Sequence, residues 1–384
     1  MATNSLEVTL KTITPIWTGG SDRKASHLHL TSIIGSLRWW YEVIVRGLGG
    51  WACDPTDPKK SKCLYDATQP ETFKEICDVC RIFGATGWAR RFRMVLTDDT
   101  EMRQKHPLYP EDSRIDVRDR VTFYLSDSQK QLLDPDRKVP KWYLNSSPLV
   151  GQIGIKIIPS GPREIGTTEL LQAEIIGGLI KFIADWGSLG AKPQMGLGIV
   201  RVNAPKDEQH LSEQFCNFVV RDVKEHVEQR QKENSKTHQP SSQDGPTLRN
   251  TFFARIHTQT NSIQETFDLK YNLRKIFRYD DESRNERDLR HFVMGYVQGS
   301  NHSGSKVMMS YPDANNTTRV WGWIPEDLSK FRTSREQVIK LIHSYLITHH
   351  KVNNWREFNS IRDTTSIQYT NPQEFLESLL KGAK

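Results

Sequence analysis

Gly187-Ser-Leu-Gly190-Ala-Lys192-Pro193-Gln194-Met195-Gly196-Leu-Gly198 stands between a helical pattern, Leu170 to Trp186, and a strand pattern, Ile199 to Val202. That order decides the reading. A P-loop and a dinucleotide-binding loop both run strand, glycines, helix, and so seat phosphate on a helix N-terminus. Here the order is helix, glycines, strand, and neither reading fits. A glycine loop beside a strand still lets backbone amides and a lysine approach a phosphate chain closely. The alternative is a tight helix-to-strand turn with left-handed glycines, which explains Gly187 better than it explains four glycines.

Working outward, Leu6 to Ile13 alternates and ends at Pro15, as a strand does. From Leu30 to Val45 the apolar residues Leu30, Ile33, Ile34, Leu37, Tyr41, Ile44 and Val45 keep helical spacing. Phe92–Leu96 and Val150–Ile158 read as strands. A long polar insertion separates them, with a short strand pattern at Val121–Leu125. The order β-α-β-β-α-β is the split βαβ of a ferredoxin-like domain. RNA-recognition domains share this layout and use the open face of the sheet.

The predicted class is therefore α+β: tandem ferredoxin-like (RRM-like, split βαβ) domains with loop insertions. The first covers residues 1–205, with a cysteine-rich insertion at 50–85 and the glycine-rich loop at 187–198. Residues 206–247 hold a helix, Phe215 to Val227, and then a flexible linker, since Glu228 to Thr247 contains no hydrophobic residue. Residues 248–384 read as a second, degenerate ferredoxin-like domain. Its visible parts are a strand at Thr251–Ile256 and a basic helix at Leu269–Tyr279. A hairpin follows around Asn315-Asn316, then a helix at Arg335–His350. Not all of its strands are legible.

A chain of 384 residues with 9% aromatic and 26% charged side chains has the composition of a soluble globular protein. No apolar run reaches the roughly 18 residues of a membrane span, and Met1 to Glu7 lacks the pattern of a signal peptide. A cytoplasmic location without a membrane partner is the expectation. A net charge of +7 and a pI near 9.0 are compatible with an anionic partner. Arg81 to Arg93 holds four arginines and no acid.

Of five cysteines, Cys53, Cys63, Cys77 and Cys80 share one window. Disulfides are rare in the cytosol, so the cluster reads as a metal site or as unrelated thiols. Cys77-Asp-Val-Cys80 is half of a structural zinc site, and a metal would hold a polar segment that cannot build its own core. The wide Cys53–Cys63 spacing is looser than in a zinc ribbon. Cys216 lies in an apolar helical pattern and is expected to be buried.

Several segments together resemble one family: Thr14-Pro-Ile-Trp-Thr-Gly-Gly20, Gly35-Ser-Leu-Arg-Trp-Trp-Tyr-Glu42, Cys77-Asp-Val-Cys-Arg-Ile-Phe-Gly-Ala-Thr-Gly-Trp-Ala-Arg-Arg-Phe92, and the glycine loop. The set is similar to the RAMP superfamily of type III CRISPR effector complexes. The match is to the RAMP subunit that caps the type III-B (Cmr) complex near the 3′ end of the guide RNA. It covers residues 1 to about 205 well and is weaker beyond, where Tyr296 to His302 and the hairpin carry it. The resemblance implies RNA binding in antiviral defence. The implied partners are guide RNA (crRNA), target single-stranded RNA and the other RAMP subunits. The capping subunit is not expected to cut.

The residues agree in part. On the first helix Trp39 lies about 180° from the centre of the apolar stripe and Arg38 about 80°, so Trp39 points outward and Arg38 sits at the edge. Trp39 is then a base-stacking residue or packs under the cysteine loop. Arg38 is a phosphate contact or a basic side chain snorkelling over the core. One of Arg90 and Arg91 is a phosphate contact. Lys192 is the main phosphate contact of the loop, Gln194 a hydrogen-bonding residue, and Gly196 and Gly198 permit close approach. Thr18, Gly19 and Gly20 form a second glycine loop lining the same groove, and His302 and Lys306 are further RNA-binding positions. The competing reading is a metal-independent endoribonuclease that processes guide-RNA precursors, with His27 or His29 among twelve histidines as general acid or base.

Overall fold

The computed structural model describes residues 5–20, 25, 27–54, 63–102, 121–122, 141–142, 148–160, 173–203, 208–232, 245–277, 284–298 and 301–381. In the first unit β1 (Leu6–Thr12), β2 (Phe92–Met102), β3 (Leu149–Pro159) and β4 (Val200–Asn203) form an antiparallel sheet in the order β2-β3-β1-β4. Helix α1 (Leu30–Gly47) follows β1. The short α2 (Asp78–Phe83) precedes β2, and α3 (Ala173–Trp186) follows β3. A long α4 (Glu208–Lys232) leads onward. In the second unit β5 (Thr251–His257), β6 (Val307–Met309), β7 (Thr317–Trp323) and β8 (Lys351–Glu357) repeat the order as β6-β7-β5-β8. Helices α5 (Ile263–Lys275) and α6 (Arg284–Met294) follow β5, α7 (Arg335–His349) follows β7, and α8 (Pro372–Leu380) comes last. Both units are thus ferredoxin-like, as the first half of the chain predicts.

Four elements depart from the sequence reading. Helix α4 continues to Lys232, so the linker expected from Glu228 starts later, and residues 233–244 lie outside the described ones. Helix α5 starts at Ile263, before the predicted Leu269. Its first turn lacks an apolar stripe and is anchored instead by the buried Thr266, whose Oγ1 donates to the Ser310 carbonyl at 2.8 Å. β2 runs through the polar Thr97-Asp-Asp-Thr-Glu101 because it pairs with β3 residue by residue, from Phe92 with Pro159 to Met102 with Leu149. The strand missed in the second unit is β8. It is polar, and a bulge between Val352 and Asn354 breaks its alternation.

The first sheet buries Val8, Leu10, Ile153, Ile155 and Ile157 on its helix side. Its other face is open and of mixed charge, with Lys11, Arg93, Lys156 and Arg201 exposed beside Glu7 and Asp99 and Lys156 paired to Glu7 at 3.0 Å, and it carries no aromatic side chain among the described residues. The second sheet is covered on both faces. Phe252, Ile256, Val307 and Val320 pack under its own helices. Phe253, Met308 and Trp321, on the other face, belong to the core of the first unit. An RNA-recognition domain leaves that face free; here α1 and α3 occupy it. Arg319 Nη1 and Arg255 Nη2 donate to the last carbonyls of α3, those of Ala184 at 2.6 Å and Asp185 at 3.0 Å. Leu248 N–H donates to the Val43 carbonyl at 2.9 Å, and Trp186 Nε1 to the Leu379 carbonyl at 2.9 Å. Among the described residues no helix is long and apolar enough to cross a membrane.

Behind this seam Arg356 is 2% exposed and its Nε lies 3.1 Å from Asp363 Oδ2, with Nη2 on Ser378 Oγ at 2.6 Å. Removing one partner of a buried ion pair strands the other charge and costs about 3–5 kcal/mol. Arg356→Met should therefore lower the urea midpoint by that much stability, whereas Lys156→Met, which loses only an exposed pair with Glu7, should lower it far less.

Candidate nucleic-acid interface and metal centre

The glycine loop lies on the seam and is closed by protein neighbours. Gly198 has φ +89°, and a Cβ there would sit 2.1 Å from the Leu189 carbonyl oxygen; at Gly196, also φ +89°, it would sit 2.3 Å from the Tyr311 ring. Tyr311 belongs to the second unit, and its N–H donates to the Gly196 carbonyl at 3.3 Å. Lys270 Nζ caps the Gln194 carbonyl at 2.8 Å. The loop amides are committed too: Gly190 N–H to Ser36 Oγ, Ala191 N–H to the Trp17 carbonyl and Gly198 N–H to the Pro15 carbonyl. This corrects the expectation that the glycines hold the backbone open to phosphate. The glycines serve close packing between the loop, the Trp17 segment and the second unit.

The second glycine loop does lie against the first, through Trp17. Thr18 is buried, accepting from His29 N–H at 3.0 Å and donating to the His27 carbonyl at 3.2 Å, while Gly19 leaves room for the Trp17 ring. Lys192 takes a left-handed conformation, φ +63°, and its Nζ lies 4.8 Å from the centre of the Trp17 ring. Burial lowers its pKa.

Beside the loop a cleft of about 480 Å³ opens between the units. Ser32, Gly35, Ser36, Trp39 and Trp40 line it from α1. Ser188, Gly190, Ala191 and Pro193 line it from the glycine loop, and Ser305, Met308, Trp321 and Trp323 from the second unit. Trp39 meets Trp40 edge-on at 4.8 Å and is half-buried rather than wholly outward. Trp321 and Trp323 were not singled out as site residues by sequence reasoning. The available signal was their spacing of two on one strand, which puts both on one face.

The other predicted RNA-binding residues scatter. Arg91 is buried, and burial lowers its pKa. Arg90 is half-exposed, its Nε donating to the Phe92 carbonyl at 2.9 Å. Lys306 is buried beneath the Phe292 and Trp323 rings, with Nζ on the Phe292 carbonyl at 3.0 Å. His302 is exposed on a short ladder of residues 296–298 with 301–303, away from the described sheets. Arg38 faces inward: its Nε donates to Glu42 Oε1 at 3.0 Å and its Nη1 to the Gly84 carbonyl at 3.3 Å.

Cys53, Cys63, Cys77 and Cys80 are all buried, and their sulfurs lie within 4.8 Å of one another. The turn that makes them converge is α2 itself, with Cys77 as its N-cap: Cys77 Sγ accepts from Cys80 N–H at 3.3 Å. Cys63 Sγ accepts from Cys77 N–H at 3.3 Å. Contacts with Cys63, Cys77 and Cys80 push Cys53 down, while contacts with Cys53, Cys77 and Cys80 push Cys63 up. Asp78 inside the CxxC binds Arg230 of α4 in a fork at 2.9 and 3.0 Å and accepts from Trp51 N–H at 2.7 Å, fixing the cysteine loop to the core. Four convergent sulfurs are a complete tetrahedral donor set for a soft or borderline divalent cation. Cys216 is buried in α4, as expected.

A family model described as the RAMP superfamily matches residues 9–201. No curated protein matches the chain. Among solved structures, a chain of the type III-B Cmr-beta bound to cognate target RNA and AMPPnP, state 2, in the presence of ssDNA, aligns with 88% of this chain and 100% of its own length. The identity is 13% and the TM-score 0.44. Cmr1 from Pyrococcus furiosus in its apo form aligns with 89% of this chain and 96% of its own length, at 12% identity and a TM-score of 0.41.

Burial, with Lys330 alongside, lowers the pKa of Lys306 to about 8. In the unfolded chain it returns to the ordinary lysine value of about 10.4. Between those values the unfolded chain holds the extra proton, so this group makes stability rise with pH by up to about 1.4 kcal/mol per unit; below pH 8 the cost of burying the ammonium is present in full. Thermal melts from pH 7 to 10 should show that slope flattened in Lys306→Met.

Proposed function

This chain belongs to the RAMP superfamily, and from that premise we propose that it is a non-catalytic RNA-binding subunit of a type III-B CRISPR effector complex. It sits near the 3′ end of the guide RNA, contacts complementary target single-stranded RNA, and packs against neighbouring RAMP subunits. The observation that carries this reading is the tryptophan-lined cleft at the seam of the two units. Unpaired bases stack on aromatic faces regardless of sequence, at about 1–3 kcal/mol per base. Trp39 and Trp323, both half-buried, are the rings a base reaches; Trp40 and Trp321, almost wholly buried, form the floor. Lys192, in the glycine loop whose neighbouring residues line the cleft, supplies charge to the phosphates.

The cysteine centre is proposed to hold one structural zinc ion. The residues fit: four buried sulfurs converge, with backbone N–H donors of the kind that favour thiolate over thiol. When bound, zinc supplies cross-linking of the cysteine loop to the core, not chemistry on RNA.

One observation favours the ribonuclease reading. The His27 and His29 rings lie 4.2 Å apart, close enough to act as a general acid and base pair. Incubating the protein with repeat RNA in EDTA decides it: specific cleavage that is lost in His27→Ala overturns the non-catalytic reading.

Trp39→Ala should weaken binding to single-stranded RNA by about 1–3 kcal/mol, roughly 5- to 150-fold, without changing the dependence of affinity on salt. Lys192→Ala should instead reduce the salt slope by about one phosphate contact. Affinity indifferent to both variants would refute the cleft. Elemental analysis should find about one zinc per chain, reduced in Cys77→Ser.

A further inference from the structure

Arg38 stands in the family-like segment of α1 and reads from sequence as a phosphate contact. The structure gives it another partner. Its Nη2 lies 3.2 Å from Cys80 Sγ and 3.5 Å from Cys53 Sγ. The two sulfurs not reached by Arg38 are those that accept backbone donors, Cys63 from Cys77 N–H and Cys77 from Cys80 N–H. Every sulfur of the cluster therefore accepts a hydrogen bond, two from the cysteine turn and two from one guanidinium.

We propose that Arg38 is the outer-sphere, charge-balancing partner of the metal–tetrathiolate centre, and not a contact to RNA. The inference rests on the zinc reading above. A divalent cation with four thiolates carries two negative charges, and a buried dianion needs cations and donors around it. Neutral thiols are weak acceptors, so a guanidinium whose Nη2 donates to two sulfurs gains most when they are thiolates. Along α1, Glu42 accepts from Arg38 Nε at 3.0 Å on one oxygen and from Arg46 Nη2 at 3.2 Å on the other. Glu42 is thus held between two cations, and of the two it is Arg38 that reaches sulfur. Glu42 also holds the fork in place, which makes the donor preorganised. Trp39, the next residue on the helix, is turned away from the cysteines and lines the cleft. One helix turn therefore carries a metal contact on one side and a cleft wall on the other.

The test uses cobalt(II), whose sulfur-to-metal charge-transfer bands report thiolate electron density. Wild-type protein, Arg38→Met and Arg38→Lys are loaded with cobalt(II) and titrated against a chelator. Arg38→Met keeps all four ligands. It should still bind one cobalt with tetrahedral bands, but about 10- to 100-fold more weakly, and with its charge-transfer band displaced. Arg38→Lys restores charge without the fork, so its affinity should recover in part while the band stays displaced. Bands and affinity in Arg38→Met that match wild type would overturn the proposal, as would unchanged metal properties together with weakened RNA binding. Should Arg38→Met fail to fold, a wild-type spectrum in Arg38→Lys overturns it equally. If wild-type protein binds no cobalt, the metal reading itself falls, and that outcome is distinct from either.

Discussion

The burial of the second sheet's free face against α1 and α3 of the first unit is the constraint on which the rest of the molecule depends. A ferredoxin-like unit has one sheet face under its helices and one face without a cover. Here Phe253, Met308 and Trp321 enter the core of the first unit, and Arg255 and Arg319 donate to the terminal carbonyls of α3. Those carbonyls have no partner inside the helix and carry the negative end of its dipole, so two guanidiniums satisfy both acceptors and offset that charge. The seam is consequently a core and not a hinge between independent domains.

Two features follow from that seam. The cleft exists because α1 covers only part of the second sheet, leaving the tryptophans at its margin half-exposed. The glycine loop has its composition because it is pressed between β1's exit, the α1 helix and Tyr311. Bare backbone is what such a three-way contact requires. Its bearing on nucleic acid is indirect: it walls the cleft and sets Lys192 over the Trp17 ring.

The cysteine centre fixes the outer end of α1 in a similar way. Cys77 and Cys80 are set by the α2 turn, Asp78 ties that turn to α4 through Arg230, and Arg38 brings α1 to Cys53 and Cys80. The helix that lines the cleft is thus held from the opposite side by the sulfur cluster. Packing at the cleft and order in the cysteine loop are parts of one arrangement.

By itself the sequence determined what depends on local periodicity and spacing. The β-α-β-β-α-β order of the first unit, the converging cysteines around a CxxC, the buried Cys216 and the family segments were all legible there. Hydrophobic pattern and short-range turn chemistry are carried by neighbouring residues. The tertiary structure alone decided which basic residues face outward. Arg91 and Lys306 are buried, Arg38 turns to sulfur, and the loop glycines answer to Tyr311 and Leu189, because each side chain's environment is built by other segments of the chain. It also decided the second unit, whose β8 is polar and bulged and is recognisable only by its pairing with β5. The cleft likewise has no sequence signature, since Trp39 and Trp323 line one cavity only when one unit's open sheet face is buried by the other.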